Sequence, residues 1–277
     1  MGNTANKALE AHTRAKSKPK NNHNVQQQKI KTARTTNVLA LSNSKLKTLP
    51  QELLELSSLR TLDLTCNKLS KLPTHLNNLL ALKTLKVSSN VLIELPDMSK
   101  LEALTTLVLD NNLLEDIPNA LPPNLIKLSL KGNKLRVIPR SVLDLAHLQE
   151  LDVSDNAITT LPLDLDTLKE LQELNIDGNK LVELPATLGR CSKLKVLSAR
   201  RNSLVGVSKN ALGQSIAAEV LGEGSTVQVL NLEGNPMTKE DLQGMDGFQA
   251  FLKRRTQLKN KEIHGGLNSD LSICGLE

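Results

Sequence analysis

The chain has 277 residues, 39% of them hydrophobic, with no tryptophan or tyrosine and a formal net charge of +6. This length and apolar content can bury an extended core, and no run approaches the ~18 apolar residues that a membrane-spanning helix requires. The first residues are polar and basic with no apolar h-region, so a secretory signal is not expected. Cys66, Cys191 and Cys274 are odd in number and fall in unrelated settings, which excludes a disulfide framework and a zinc site. With no Asn-x-Ser/Thr sequon either, the expected location is the reducing cytoplasm.

Charge is concentrated at the N-terminus. Lys7, Arg14, Lys16, Lys18, Lys20, Lys29, Lys31 and Arg34 stand against the single Glu10 in residues 1–37, so this stretch carries +7 and the rest of the chain about −1. Residues 1–25 are poor in apolar side chains and are expected to be disordered. In residues 26–37, Ile30 and Ala33 stand at helical spacing and suit an N-terminal cap. The opening Met1-Gly2-Asn3 invites a lipid, because removal of methionine leaves Gly2 with a free amine for myristoylation. Asn3 and Lys7 resemble acceptor residues, whereas Asn6 replaces the usual serine or threonine. One myristoyl chain holds a bilayer only marginally. Lys7, Arg14, Lys16, Lys18 and Lys20 would supply a second signal of about 1 kcal/mol each near an anionic surface, which predicts a peripheral position on the cytoplasmic face of a membrane.

From residue 38 an apolar phrase returns nine times, most cleanly as LRTLDLTCNKLSKLP at Leu59 to Pro73. Its closing asparagine falls at Asn67, Asn90, Asn112, Asn133, Asn156, Asn179, Asn202 and Asn235, at steps of 21 to 23 residues and a last step of 33, with Ser44 in the first slot. In Leu62-x-Leu64 the alternation puts both leucines on one face of a short strand, and one repeat alone cannot bury that face. Stacked copies can, as a continuous column under a parallel sheet. Each asparagine carries both donors and acceptors and is expected to satisfy, from within the column, backbone groups that leave the ladder. Apolar-Pro pairs follow, from Leu49-Pro50 to Leu184-Pro185, and start the return over the back. There Leu76, Leu79 and Leu82, spaced by three, predict helical or 3₁₀ turns. The eighth repeat lacks its proline, and a longer helix or a loop plus helix is expected around residues 209–220.

The repeats occupy residues 38–240. Beyond them Leu242, Met245, Phe248, Phe251 and Leu252 form one helical stripe, predicting a C-terminal capping helix over 241–262, with a flexible tail over 263–277. Cys274 stands fourth from the end, but the final Glu277 makes a poor prenylation box.

The phrase Leu-x-x-Leu-x-Leu-x-x-Asn-x-Leu-x-x-Leu-Pro resembles the intracellular leucine-rich repeat class that includes Ras-suppressor and Ras-scaffold proteins and erbin-like adaptors. Within that class the leucine-rich repeat-containing protein 57 type is similar in its Met-Gly-Asn start, its repeat number and its charged terminal helix. The basic N-terminal segment here is longer. The resemblance implies an α/β leucine-rich repeat solenoid, a curved horseshoe with its parallel sheet on the concave face and short helical or 3₁₀ returns on the convex face. Such an architecture serves many unrelated partners.

No phosphate loop, dinucleotide-binding loop, nucleophile elbow or His-Glu-x-x-His pair occurs, and His12, His23, His75, His147 and His264 are scattered. A non-catalytic protein without cofactor or metal is expected. The basic ends could hold phosphates, but stacking aromatics and nucleic-acid motifs are lacking, so no specific nucleic acid is expected. Function is then expected on the concave strands. Alternation turns outward Lys127 and Lys131, then Glu150 and Asp152 with Asp155, then Glu173 and Asp177, then Arg200 with Arg201. Five carboxylates on two adjacent strands, relieved only by flanking cations, suggest a field complementary to a basic segment of a partner protein. The reading is a monomeric scaffold or adaptor at a membrane. The alternative is a soluble regulatory subunit of a phosphatase or small-GTPase complex, as the Ras-scaffold resemblance implies, although Arg136-Val137-Ile138-Pro139 lacks the aromatic of a phosphatase-docking motif.

Overall fold

The computed structural model describes residues 22–206, 215–264 and 274–276. The expected lipid site Gly2 and the membrane cations Lys7, Arg14, Lys16, Lys18 and Lys20 lie outside the described residues, as does the first part of the helix expected at 209–220.

Nine three-residue strands stack in chain order into one parallel sheet: β1 Val38–Ala40, β2 Thr61–Asp63, β3 Thr84–Lys86, β4 Thr106–Val108, β5 Lys127–Ser129, β6 Glu150–Asp152, β7 Glu173–Asn175, β8 Val196–Ser198 and β9 Val229–Asn231. The register is strict. Leu39, Leu62, Leu85, Leu107, Leu128, Leu151, Leu174, Leu197 and Leu230 face one another in a single row, and all are essentially solvent-free. Each strand is short because both flanks of its central leucine must turn toward the return segment within one coil. Proline starts that return: Pro50, Pro73, Pro139 and Pro185, extended in ψ, immediately precede the 3₁₀ turns Gln51–Leu53 and Thr74–Asn78, the helix α2 Arg140–Leu143 and the 3₁₀ turn Ala186–Arg190. Adjacent strands lie ~4.8 Å apart and helical returns need more width, so the coil bends with its strands on the inner face. The architecture is the expected leucine-rich repeat solenoid.

The asparagines run along the column as a continuous ladder. Asn90 donates from Nδ2 to the carbonyls of Leu64 (3.0 Å) and Val87 (3.1 Å), and its Oδ1 accepts the Leu69 N–H at 3.0 Å. Asn112 repeats this on Val87 (3.0 Å), Leu109 (2.9 Å) and the Leu92 N–H (3.1 Å). The Val87 carbonyl therefore accepts from two successive asparagines, as do those of Leu64, Leu109, Leu130, Val153, Ile176 and Ala199. Asn67 reaches back to the N–H groups of Ser44 and Leu46, and Asn235 ends the series on Ala199 and Leu232.

Both ends of the sheet are covered. Helix α1 Asn22–Thr36 lies against β1, with Ile30 and Ala33 buried, and Lys29 Nζ donates to the edge carbonyl of Ala40 at 2.9 Å. It starts at Asn22 rather than Gln26, so residues 22–25 are helical where disorder was expected, and Val25 is half-buried. In the long eighth step the described helix is α3 Ala218–Leu221. At the far end the stripe is carried by two helices, not one: α4 Lys239–Gln243, opened by a Thr238/Asp241 capping box, and α5 Phe248–His264. The break falls at Gly247, whose φ of +84 and approach to the Gly222 backbone leave no room for a side chain. Leu242, Met245, Phe248 and Phe251 are buried on the last repeat. The tail expected to be flexible is docked at its described residues. The Leu232 N–H, which a tenth repeat would otherwise satisfy, donates to the Cys274 carbonyl at 2.8 Å, and Cys274 and Leu276 are buried.

Candidate functional site

The inner face of β5 to β8 gathers the site residues read from the sequence. Lys127, Glu150, Glu173 and Val196 occupy one row across the four strands, and Ser129, Asp152, Asn175 and Ser198 the next outward-facing row. Together they line a hollow of about 250 Å³ floored by Leu128, Leu151 and Leu174. The lower row is tied laterally: Ser129 Oγ donates to Asp110, Asn175 Nδ2 donates to Asp152 Oδ2 at 3.2 Å, and Asn231 Nδ2 to Ser198 Oγ at 3.4 Å. Burial pushes the Asp110 carboxyl above its ordinary pKa, and the Ser129 hydroxyl opposes that shift.

The carboxylates are more fully paired than their count in the sequence suggests. Glu150 bonds Lys127, and that bond is the main cause of the raised Lys127 pKa. Asp155 is held by Lys131 at 3.3 Å and by Arg201 at 3.4 Å. Asp177 Oδ1 accepts the Arg200 N–H at 2.8 Å, and the Arg200 guanidinium bridges Asp177 and Glu233 at 3.8 Å each. Four cations thus offset most of the expected repulsion, because stacking in register brings side chains of neighbouring repeats within reach of one another. The Arg201 contact spans two repeats and depends on the intervening Gly178, at φ +61, whose Cβ would stand 2.4 Å from Asp155 Oδ1. Two carboxylates form no direct ion pair among the described residues, although both also act on Lys127 through space. Asp152 is bound through Oδ1 to the Ser154 N–H at 2.9 Å and through Oδ2 to Asn175. The exposed Glu173 side chain makes no hydrogen bond or ion pair among the described residues. The negative field therefore centres on Glu173 and Asp152, at the mouth of the hollow, with an apolar shelf of Val196 beside it.

The sequence reading missed the residue before each ladder position, Ser44 and the eight asparagines. Asn43, Cys66, Ser89, Asn111, Gly132, Asp155, Gly178, Arg201 and Gly234 all adopt left-handed φ between +49 and +74. The recurrence of Asn, Asp and Gly in that column was the available signal. Among the described residues no group of three or more His, Cys, Asp or Glu side chains could hold a metal ion, and no helix is long and apolar enough to cross a membrane.

Models of the leucine-rich repeat match residues 58–79 and 123–181. No curated protein matches the chain by sequence. Among solved structures, the leucine-rich repeat ectodomain of the plant membrane receptor kinase GASSHO1/SCHENGEN3 from Arabidopsis thaliana, in complex with CASPARIAN STRIP INTEGRITY FACTOR 2, is similar at 30% identity and TM-score 0.57. The match covers 69% of this chain and 23% of that one. A TDR receptor is 28% identical (TM-score 0.59; 73% and 35% covered), and the plant peptide hormone receptor RGFR1 in complex with RGF2 is 27% identical (TM-score 0.56; 73% and 36% covered). The chain spans roughly a quarter to a third of the length of these structures.

Proposed function

We propose that this leucine-rich repeat solenoid is a non-catalytic adaptor that binds a partner protein on the inner face of repeats five to eight. In this reading it is held at the cytoplasmic face of a membrane by an acyl chain on Gly2 together with Lys7, Arg14, Lys16, Lys18 and Lys20. The carrying observation is the hollow over β5 to β8, where the Glu173 side chain stands exposed without an ion pair beside Glu150, which Lys127 holds, and Asp152, which only neutral groups hold. A lysine or arginine of an extended partner segment would complete that row as Lys127 completes Glu150, with a small apolar residue beside it over Val196. The similar receptors are held in complex with CASPARIAN STRIP INTEGRITY FACTOR 2 and with RGF2, which supports partner binding as the use of such a coil.

The membrane part is tested by fractionating cells that express wild type and Gly2→Ala. Loss of the membrane signal in the variant supports tethering. A wholly soluble wild type refutes it and favours the regulatory subunit of a phosphatase or small-GTPase complex.

A further inference from the structure

A second cavity, of about 420 Å³, lies away from the inner-face hollow, where α5 crosses the strand-entry flank of repeats seven to nine. Gln172, Lys195 and Gln228 stand in one row just before β7, β8 and β9, fixed by main-chain bonds from Lys195 N–H to the Gln172 carbonyl and from Gln228 N–H to the Lys195 carbonyl, both 2.9 Å. Ser192 and Lys193 rise from the preceding turn, and α5 supplies Arg254 and Gln257 from the opposite wall.

Its charge is unbalanced. Lys193 Nζ is gripped by both oxygens of Glu170 at 2.7 Å, so that pair cancels. Lys195 has no ion pair or side-chain hydrogen bond among the described residues. Among the described residues Arg254 donates only to main-chain carbonyls: Gly222 at 2.6 Å, Leu221 at 2.9 Å and Val227 at 3.1 Å. Those bonds use three of its five N–H groups and explain where the side chain lies, yet they bring no negative charge to a half-buried guanidinium. Desolvation lowers the Arg254 pKa, so the charged form is held at a cost that an anion would relieve. Glu223, close in sequence to the carbonyls that Arg254 caps, pairs with neither cation.

We infer that this cleft binds a phosphate-bearing group, free or carried on a lipid headgroup, through the Arg254 guanidinium and the Lys195 ammonium, with Ser192, Gln228 and Gln257 as further donors. Arginine's remaining N–H groups present the paired geometry that phosphate oxygens accept, and the volume lies in the range of small-ligand pockets. No aromatic ring lines the cleft, so nothing there would stack a base, and the recognised chemistry is the phosphate rather than a nucleoside.

The test is isothermal titration of the full chain with inorganic phosphate and with inositol trisphosphate, alongside co-sedimentation with phosphatidylcholine vesicles carrying phosphatidylinositol bisphosphate. The variants are Lys195→Glu, whose side chain makes no hydrogen bond or ion pair among the described residues, and Lys47→Glu, the same charge change on an exposed residue of the first repeat. Wild type should bind a soluble probe or the vesicles. Lys195→Glu should weaken that binding about tenfold or more, and Lys47→Glu by less than about twofold. Vesicle binding that depends on Lys195 places the group on a lipid, and binding of the soluble probes alone assigns a free phosphate compound. Absence of binding to every probe, or equal weakening by the two variants, overturns the inference. The inner-face proposal stands or falls separately, because no residue is shared.

Discussion

Replacing Asn112 with alanine should cost the protein about 2–5 kcal/mol, and the amount follows from where its bonds go. Asn112 is 4% exposed. Its Oδ1 is the acceptor for the Leu92 N–H at 3.1 Å, and alanine leaves that donor facing an apolar column, a penalty of about 1–3 kcal/mol. The carbonyls of Val87 and Leu109 each lose one of two donors but keep the other, from Asn90 and Asn133 at 3.1 Å, so each contributes only about 0.5–1 kcal/mol. Asn156 makes the same set of bonds at 2.9–3.1 Å from a half-buried position, where water can replace the lost amide, so its alanine variant should cost roughly half as much. With no tryptophan or tyrosine in the chain, urea unfolding is followed by far-ultraviolet circular dichroism. A loss below about 1 kcal/mol for Asn112→Ala at unchanged m-value, or a larger loss for Asn156→Ala, would refute the ladder as a stabilising element.

Asp110→Asn should raise the melting temperature by on the order of 1–2 °C at pH 7 and by less at pH 3. The folded-state pKa is raised, so the stability this carboxyl contributes is present at low pH and is lost as pH rises through the folded value; an amide keeps the bond from Ser129 without the buried charge. An equal shift at both pH values would contradict this. Thiol titration should find one fast group, exposed Cys66, and two that react only on unfolding, because Cys191 and Cys274 are buried with pKa values pushed up to about 11 by desolvation. Prompt reaction of a second thiol would show that Cys274 is not docked. Gly178→Ala should cost about 1–2 kcal/mol, since it strains a left-handed residue and drives a methyl into Asp155 Oδ1; an unchanged urea midpoint would contradict the backbone account.

The fold was legible because one residue pattern, repeated, dictates one strand, one turn and one return, and stacking does the rest. Leu62 and Leu64, Pro73 and Leu76 could each be placed from spacing alone. The ends were less legible, since they lack that redundancy. Gly244 and Gly247 look like minor interruptions of the stripe from Leu242 to Leu252, yet the closeness of Gly247 to Gly222 is a tertiary fact that breaks the helix in two. Cys274 and Leu276 resemble a frayed tail in sequence, and only the unsatisfied edge of β9 explains their burial. At the site, alternation identified Glu150, Asp155, Glu173 and Asp177 as outward-facing. It could not foresee that Lys127, Lys131, Arg200 and Arg201 would pair with three of them, because side-chain reach between repeats is set by register and by gaps such as Gly178. Lys195 and Arg254 meet for a related reason: a repeat row and a non-repeat helix are distant in sequence and become neighbours only when α5 folds back over the end.

The measurement that most directly tests binding on the inner face is quantitative recovery of co-purifying proteins with wild type, with Asp152→Lys combined with Glu173→Lys, and with a charge-matched Glu55→Lys combined with Glu94→Lys control away from the inner face, after circular dichroism has shown all three folded. The account predicts that a principal partner is retained by wild type and control and lost from the Asp152/Glu173 variant. Identical recovery from all three would contradict it.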